Sequence, residues 1–162
     1  MKGVSETRFA PDATMSRAML VTVLWRYAGE PASGSAGFTD VPSGQWYTEA
    51  VAWAAENGIV NGVGGGKFDP NGAVTRAQFA TILYRYAQNE DLASDAAAVL
   101  DFPDGDTVQS WALDAMRWAV AEGLLSGSKH SDGKDYLDPQ DSATRAQVAK
   151  ILTQFVKNIV EA

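Results

Sequence analysis

Three stretches of the chain place apolar residues at i, i+3, i+4 and i+7, which is the spacing of a helix with one buried face. The three sets are Leu20, Val23, Leu24 and Tyr27; Phe79, Ile82, Leu83 and Tyr86; and Val148, Ile151, Leu152 and Phe155. A Ser or Thr able to cap a helix precedes each set, at Ser16, Thr75 and Thr144. We therefore predict three amphipathic helices, each of which needs a partner for its apolar stripe.

The segments that lead into these helices repeat. Residues 68–78 recur in gapless register as residues 137–147 and 9–19, and an Arg follows the capping residue each time, at Arg17, Arg76 and Arg145. Gln78 and Gln147 complete the capping-box spacing, in which two side chains satisfy backbone donors at the start of a helix. Equivalent arginines are thus expected at three equivalent helix starts.

A second pattern precedes two of the three copies. Its matched positions are Asp40, Trp46, Ala50, Trp53, Ala54, Gly58 and Gly62 in one copy and Asp104, Trp111, Ala115, Trp118, Ala119, Gly123 and Gly127 in the other. The Trp and Ala positions predict a short helix, which Gly58 or Gly123 ends in a left-handed conformation. A full repeat is therefore a pair of helices joined by a glycine-bearing loop.

The repeats divide the chain into a partial repeat at 1–30, which has only the second helix, and full repeats at 38–88 and 101–158. Residues 30–37 and 89–100 are connectors, although residues 93–100 could add a helical turn. Three apolar stripes in equal register favour an arrangement in which all of them meet. We expect an all-α fold of tandem helix-loop-helix repeats that form one compact, pseudo-three-fold bundle or prism.

Composition narrows the function. The 162 residues carry a net charge of −7, the wrong sign for a nucleic-acid-binding surface. There are no cysteines, which excludes a disulfide scaffold, and no apolar run approaches the length of a membrane span. If the protein is exported, we expect its targeting segment to lie outside this sequence.

The spaced motifs resemble the S-layer homology (SLH) domain family. They are the Phe-Thr-Asp-Val of residues 38–41, a Trp and an Ala four residues apart, the Gly-Ile-Val-Asn-Gly of 58–62, and the Thr-Arg-Ala-Gln of 75–78 and 144–147. The third copy of the last motif is degraded to Ser-Arg-Ala-Met at 16–19, and Gln stands where the family has Glu. The resemblance implies a helical prism that anchors exported proteins to secondary cell-wall polysaccharide bearing a pyruvylated amino sugar, and hence a location at the cell surface.

A pyruvate ketal presents a compact carboxylate, which a guanidinium can hold with two charge-assisted hydrogen bonds while a helix N-terminus adds donors. Exposed aromatic rings can stack on sugars, and glycine lets the backbone approach a ligand. The ligand-binding residues we expect are Arg76, Arg145, Arg17, Asp40, Asp104, Trp46, Trp111, Gly62, Gly127, Thr75 and Thr144.

Each of these residues also has a structural explanation. The arginines could pair with nearby Asp residues, and Trp46 and Trp111 could belong to the core. The two Asp residues could accept hydrogen bonds in turns, and the glycines could serve loop geometry alone. Trp53 and Trp118 are expected in the core.

Nothing in the sequence favours catalysis, a cofactor or a metal. His130 is the only histidine and lacks partner ligands, so we expect it to be solvated. No pair of carboxylates identifies a glycosidase, and no Lys-Ser or Lys-Thr pair follows the glycines as a P-loop requires.

A second hypothesis is a structural module that self-associates or is completed by another chain. Without the first helix of its repeat, the first stripe should expose part of Leu20, Val23, Leu24 and Tyr27. The same gap makes Arg17 a weaker candidate than Arg76 and Arg145.

Overall fold

A computed structural model describes residues 12–35 and 37–161. It contains five α-helices, which we number in chain order: α1 Arg17–Tyr27, α2 Thr48–Glu56, α3 Arg76–Asn89, α4 Ser110–Ala121 and α5 Arg145–Phe155. One small hairpin pairs β1, Ser128–Lys129, with β2, Asp135–Tyr136. A 3₁₀ turn at Gly105–Thr107 precedes α4, and a π-helical turn at Val156–Val160 follows α5. The predicted all-α class is confirmed.

The three predicted amphipathic helices are α1, α3 and α5, and each begins at the repeated Arg. Thr75 and Thr144 form the predicted capping boxes: each hydroxyl accepts from the backbone of the Gln three residues later, and that Gln accepts from the Thr backbone. Ser16 caps α1 through the Met19 backbone N–H alone.

A ring of backbone hydrogen bonds joins the segments just before these helices. Met15 N–H donates to the Ala143 carbonyl at 3.0 Å, Ala143 to Val74 at 2.8 Å, and Val74 back to Met15 at 2.8 Å. All three residues are buried. Each repeat thus donates to one neighbour and accepts from the other, so three repeats close the ring.

The shorter helices fill the spaces between the amphipathic ones. Helix α2 packs against α1 and places the Trp53 ring 6.1 Å from that of Tyr86 on α3. Helix α4 packs against α3 and places Trp118 6.5 Å from Phe155 on α5. Trp53 and Trp118 therefore belong to the core, as predicted.

Two local predictions are wrong. Residues 93–100 form no helical turn, because Ala98 exchanges hydrogen bonds with the backbone and guanidinium of Arg117 on α4 and is held non-helical. Trp46 lies before α2 instead of on its buried face; Tyr47 takes the buried position.

Part of the apolar stripe on α1 is exposed, as expected. Leu20 and Leu24 are buried, since α2 and the bundle interior cover them. Val23 is half-buried and Tyr27 is 50% exposed. Val23, Leu24 and Tyr27 line one side of an apolar cleft of about 340 Å³, and self-association at this face stays a prediction.

Candidate functional site

Arg17 reaches from the start of α1 into the loop of the following repeat. Its Nε donates to the Phe68 carbonyl at 2.8 Å, and its guanidinium carbon lies 4.8 Å from the centre of the Phe68 ring. The residue is only 6% exposed. No other hydrogen bond to Arg17 occurs among the described residues, so its terminal Nη donors remain available.

Arg76 repeats this geometry one repeat later. Its Nε donates to the Leu137 carbonyl at 2.7 Å, and the residue is 7% exposed. Burial lowers the pKa of both guanidinium groups below their ordinary value, although nearby carboxylates partly offset this effect. Neither Arg forms an ion pair with any described carboxylate, so the alternative of a simple Arg–Asp pair does not apply to them.

Asp40 and Asp104 hold the loops that these arginines contact. The two carboxylate oxygens of Asp40 accept the backbone N–H groups of Phe68 and Asp69, both at 2.8 Å. Asp104 does the same for Leu137 and Asp138 at 2.9 Å. The turn-acceptor interpretation therefore describes both carboxylates, and each orients an Arg indirectly through the peptide that the Arg bonds.

Each of these arginines lines a cleft. The first cleft, about 430 Å³, is formed by Arg17, Val60, Asn61, Gly62, Val63, Gln78, Thr81, Ile82, Arg85 and Trp111. The second cleft, about 150 Å³, is formed by Arg76, Leu124, Leu125, Ser126, Gly127, Ser128, Gln147, Lys150, Ile151 and Gln154. In both, a loop backbone faces the polar side of an amphipathic helix.

Steric constraints require glycine at positions 62 and 127. Gly62 has a φ of +83°, and a Cβ there would meet the Lys67 carbonyl at 2.6 Å and the Phe38 ring at 2.8 Å. Gly127 has a φ of +87° and would meet Phe102 at 3.0 Å. Loop geometry thus accounts for both residues, and their backbones also line the two clefts.

The other predicted site residues are spread more widely. Trp111 is 48% exposed and lines the first cleft, whereas Trp46 is 55% exposed, packs edge-on against Tyr47, and lines neither. Both tryptophans are therefore surface residues and not core. Thr75 and Thr144 act as helix caps and line neither cleft.

The reason for ranking Arg17 below the other arginines does not hold in the structure. Arg17 and Arg76 each use the loop of the next repeat, so the partial first repeat leaves Arg17 with a complete loop, residues 60–63, beside it. Arg145 is buried, its backbone N–H donates to the Ala13 carbonyl, and it lines neither of the two clefts.

Several cleft residues were not identified from the sequence. Gln78, Thr81 and Arg85 form a polar stripe beside the apolar stripe of α3, and Gln147, Lys150 and Gln154 occupy the equivalent positions on α5. Their i, i+3, i+7 spacing in the sequence already places them on one face of each helix. Each Gln uses its Oε1 in the capping box, which leaves its amide donors for the cleft.

The third repeat carries a polar cluster on its hairpin. His130 Nε2 lies 2.9 Å from Asp138 Oδ2, and its ring stacks on Tyr136 at 3.9 Å. The Tyr136 hydroxyl donates to Asp132 at 2.6 Å. His130 is 42% exposed yet has a defined partner, so the expectation of a purely solvated side chain is incomplete.

The candidate site thus consists of two clefts between interlocked repeats, with a buried guanidinium in each. Residues 37–80 and 101–149 match the S-layer homology domain family, which is more than half of the chain, and the protein belongs to that family.

Related proteins are cell-surface proteins and enzymes. The chain is 33% identical over 159 residues to the "Surface-layer 125 kDa protein" of Lysinibacillus sphaericus, 32% over 158 to an endoglucanase of Bacillus sp. (strain KSM-635), and 27% over 159 to the "S-layer protein sap" of Bacillus anthracis. The matches cover 98%, 95% and 97% of this chain but 13%, 16% and 18% of those proteins. The shared part is the SLH module, which anchors such proteins to the cell wall.

Within the described residues, the longest apolar helix falls short of what a bilayer crossing requires.

Proposed function

We propose that this chain is a non-catalytic anchoring module that binds an anionic secondary cell-wall polysaccharide at the cell surface, with pyruvylated amino sugar as the recognised unit. One observation carries the proposal. Arg17 and Arg76 are more than nine-tenths buried and are oriented through Nε, and their Nη donors beside an open cleft have no hydrogen-bond acceptor among the described residues.

Charge supports an anionic ligand. The protein has a net charge of −7, yet its two clefts pair Arg17 with Arg85 and Arg76 with Lys150. None of the described residues that line the two clefts is an Asp or a Glu. The buried guanidinium has lost interactions with water. A carboxylate that enters either cleft would replace them with charge-assisted hydrogen bonds.

Sugar recognition is supported by the remaining lining. The exposed Trp111 indole offers an apolar face on which a pyranose ring can stack, and Asn61 and Gln78 provide amide groups for hydroxyls. Arg145 is proposed as a third ligand residue by its equivalence to Arg17 and Arg76.

Calorimetric titration with a pyruvylated N-acetylhexosamine disaccharide tests the function. The parent should bind with an affinity that falls as salt increases, because the main contacts are charged and near the surface. We expect Arg17→Gln with Arg76→Gln to weaken binding at least about tenfold. Lys157→Gln, an exposed substitution outside both clefts, removes one charge and should leave affinity unchanged. A double variant that binds like the parent would refute the proposal.

A further inference from the structure

The two clefts have the same plan but different cations. Equivalent positions on α3 and α5 are Gln78 and Gln147, then Thr81 and Lys150, then Arg85 and Gln154. The second cation thus lies seven residues beyond the capping Gln in the first cleft and only three residues beyond it in the second.

The shift of the second cation along the helix can be expressed as a distance. At a rise of about 1.5 Å per residue, four residues move the cation about 6 Å along the helix axis. The first cleft, at about 430 Å³, has room for separated acidic groups, whereas the second, at about 150 Å³, is much smaller. The second cation therefore lies farther along its helix in the larger cleft and nearer the helix start in the smaller one.

The side chains of the second cations have no partner among the described residues. Neither the Arg85 guanidinium nor the Lys150 ammonium forms a hydrogen bond or an ion pair there. The first cleft also contains Trp111, whose Nε1 donates to Gln109 at 2.5 Å and so fixes the indole. No aromatic side chain is among the described residues that line the second cleft.

We infer that the first cleft binds a saccharide segment of at least two sugar units with an acidic group on each, one held by Arg17 and the other by Arg85. The second cleft holds a single acidic unit between Arg76 and Lys150. This inference rests on the proposed function and assigns Arg85 as the residue that sets the length and charge pattern of the preferred ligand.

The experiment compares two synthetic N-acetylhexosamine disaccharides, one pyruvylated on both units and one on the terminal unit alone. We expect the parent to bind the doubly pyruvylated probe about tenfold more tightly, which is the effect of one additional charge-assisted contact. Arg85→Gln gives the first cleft the residue that the second cleft has, and it should abolish this preference, so that the two probes bind within about twofold of each other.

The chain provides its own controls. Gln154→Arg is the reciprocal change, and it should create the preference at the second cleft. Lys157→Gln should leave the preference as in the parent. Circular dichroism establishes that each variant is folded.

The outcomes separate the two proposals. Loss of the preference in Arg85→Gln alone supports the inference. A preference that persists in Arg85→Gln, or a parent that binds both probes equally, overturns the inference and leaves the proposed function intact. A parent that binds neither probe overturns both.

Discussion

A single peptide group connects Asp40 to Arg17. The N–H of Asp69 donates to Asp40, and the carbonyl of Phe68 in the same peptide group accepts from Arg17 Nε, so the carboxylate and the guanidinium lie at opposite ends of one chain of hydrogen bonds. Such chains strengthen each member, because each bond polarises the next. Asp40 is a positioning residue for Arg17, and Asp104 is the equivalent for Arg76.

Removal of Asp40 tests this linkage. Asp40→Ala leaves the N–H groups of Phe68 and Asp69 without their acceptor, and we expect the free energy of unfolding to fall by about 1–3 kcal/mol. Urea denaturation measures the change. The control is Asp114→Ala on the exposed side of α4, which should change stability by less than about 0.5 kcal/mol. Equal stability of the two variants would contradict the role given to Asp40.

The same contact predicts an acid dependence. Desolvation raises the pKa of Asp40, but the N–H groups of Phe68 and Asp69 outweigh it, and the pKa lies below the ordinary value of 3.8. A depressed carboxyl pKa stabilises the fold above pH 3.8, and this stabilisation is lost as pH falls through the folded-state pKa. Unfolding midpoints measured between about pH 5 and 2 should show a smaller acid loss in Asp40→Ala than in the parent.

Repetition made the arginines predictable from the sequence, but not their surroundings. The equivalence of Arg17 and Arg76 follows from the gapless motifs. That each donates to a loop carbonyl of the following repeat depends on how the repeats pack together, which the motifs do not show. The Gln in place of the family's Glu is now explained in part: it keeps the cap and adds no negative charge to a cleft lined by cations.

At the scale of elements, the loops distinguish the two full repeats. In the first full repeat, Gly64 and Lys67 close a tight glycine turn, whereas the second builds the β1–β2 hairpin and places His130 against Asp138. Asp138 directly follows Leu137, whose carbonyl holds Arg76. The hairpin therefore contacts the residue next to the carbonyl that orients Arg76 in the second cleft.

The pKa of His130 measures the contact between the hairpin and Asp138. Its hydrogen bond to Asp138 raises the pKa of the imidazole above 6.5, with smaller contributions from the charges of Asp138, Asp132 and Asp104. The stabilisation is fully present below pH 6.5 and is lost as pH rises through the folded-state pKa. Because His130 is the only histidine, NMR titration of its ring protons measures this pKa directly. Asp138→Asn should return the pKa toward 6.5; an unchanged value would contradict the contact.

Helical elements were predictable, and the hairpin was not. Apolar stripes and caps determine α1, α3 and α5 locally, and the sequence carries both signals. The strands β1 and β2 are two residues each and polar, so they lack the alternation that marks a strand. The Ala-rich residues 93–100 favour a helix by composition, but tertiary contacts with Arg117 determine their conformation.

At the scale of the whole molecule, the core crosses repeat boundaries. Phe155 of the last repeat lies 6.2 Å from Tyr86 and 6.5 Å from Trp118, and Tyr86 in turn contacts Trp53. A substitution in one repeat should therefore destabilise all of them together.

Phe155→Ala provides the test. The ring is 2% exposed, and its removal should lower the free energy of unfolding by about 3–5 kcal/mol. Thermal unfolding followed by far-ultraviolet circular dichroism and by tryptophan fluorescence should give one coincident transition in the parent and in the variant, shifted down in the latter. Two separated transitions would indicate repeats that unfold independently.

The ring of hydrogen bonds among Met15, Val74 and Ala143 also determines how this architecture can evolve. An open array of repeats can gain or lose a unit at either end, since its terminal surfaces need only be covered. A circular arrangement has no such freedom: deletion of one unit would leave a buried donor and a buried acceptor facing each other across a gap, and a fourth unit would have no place to join. We therefore expect a protein with more sites of this kind to carry further complete rings of three units.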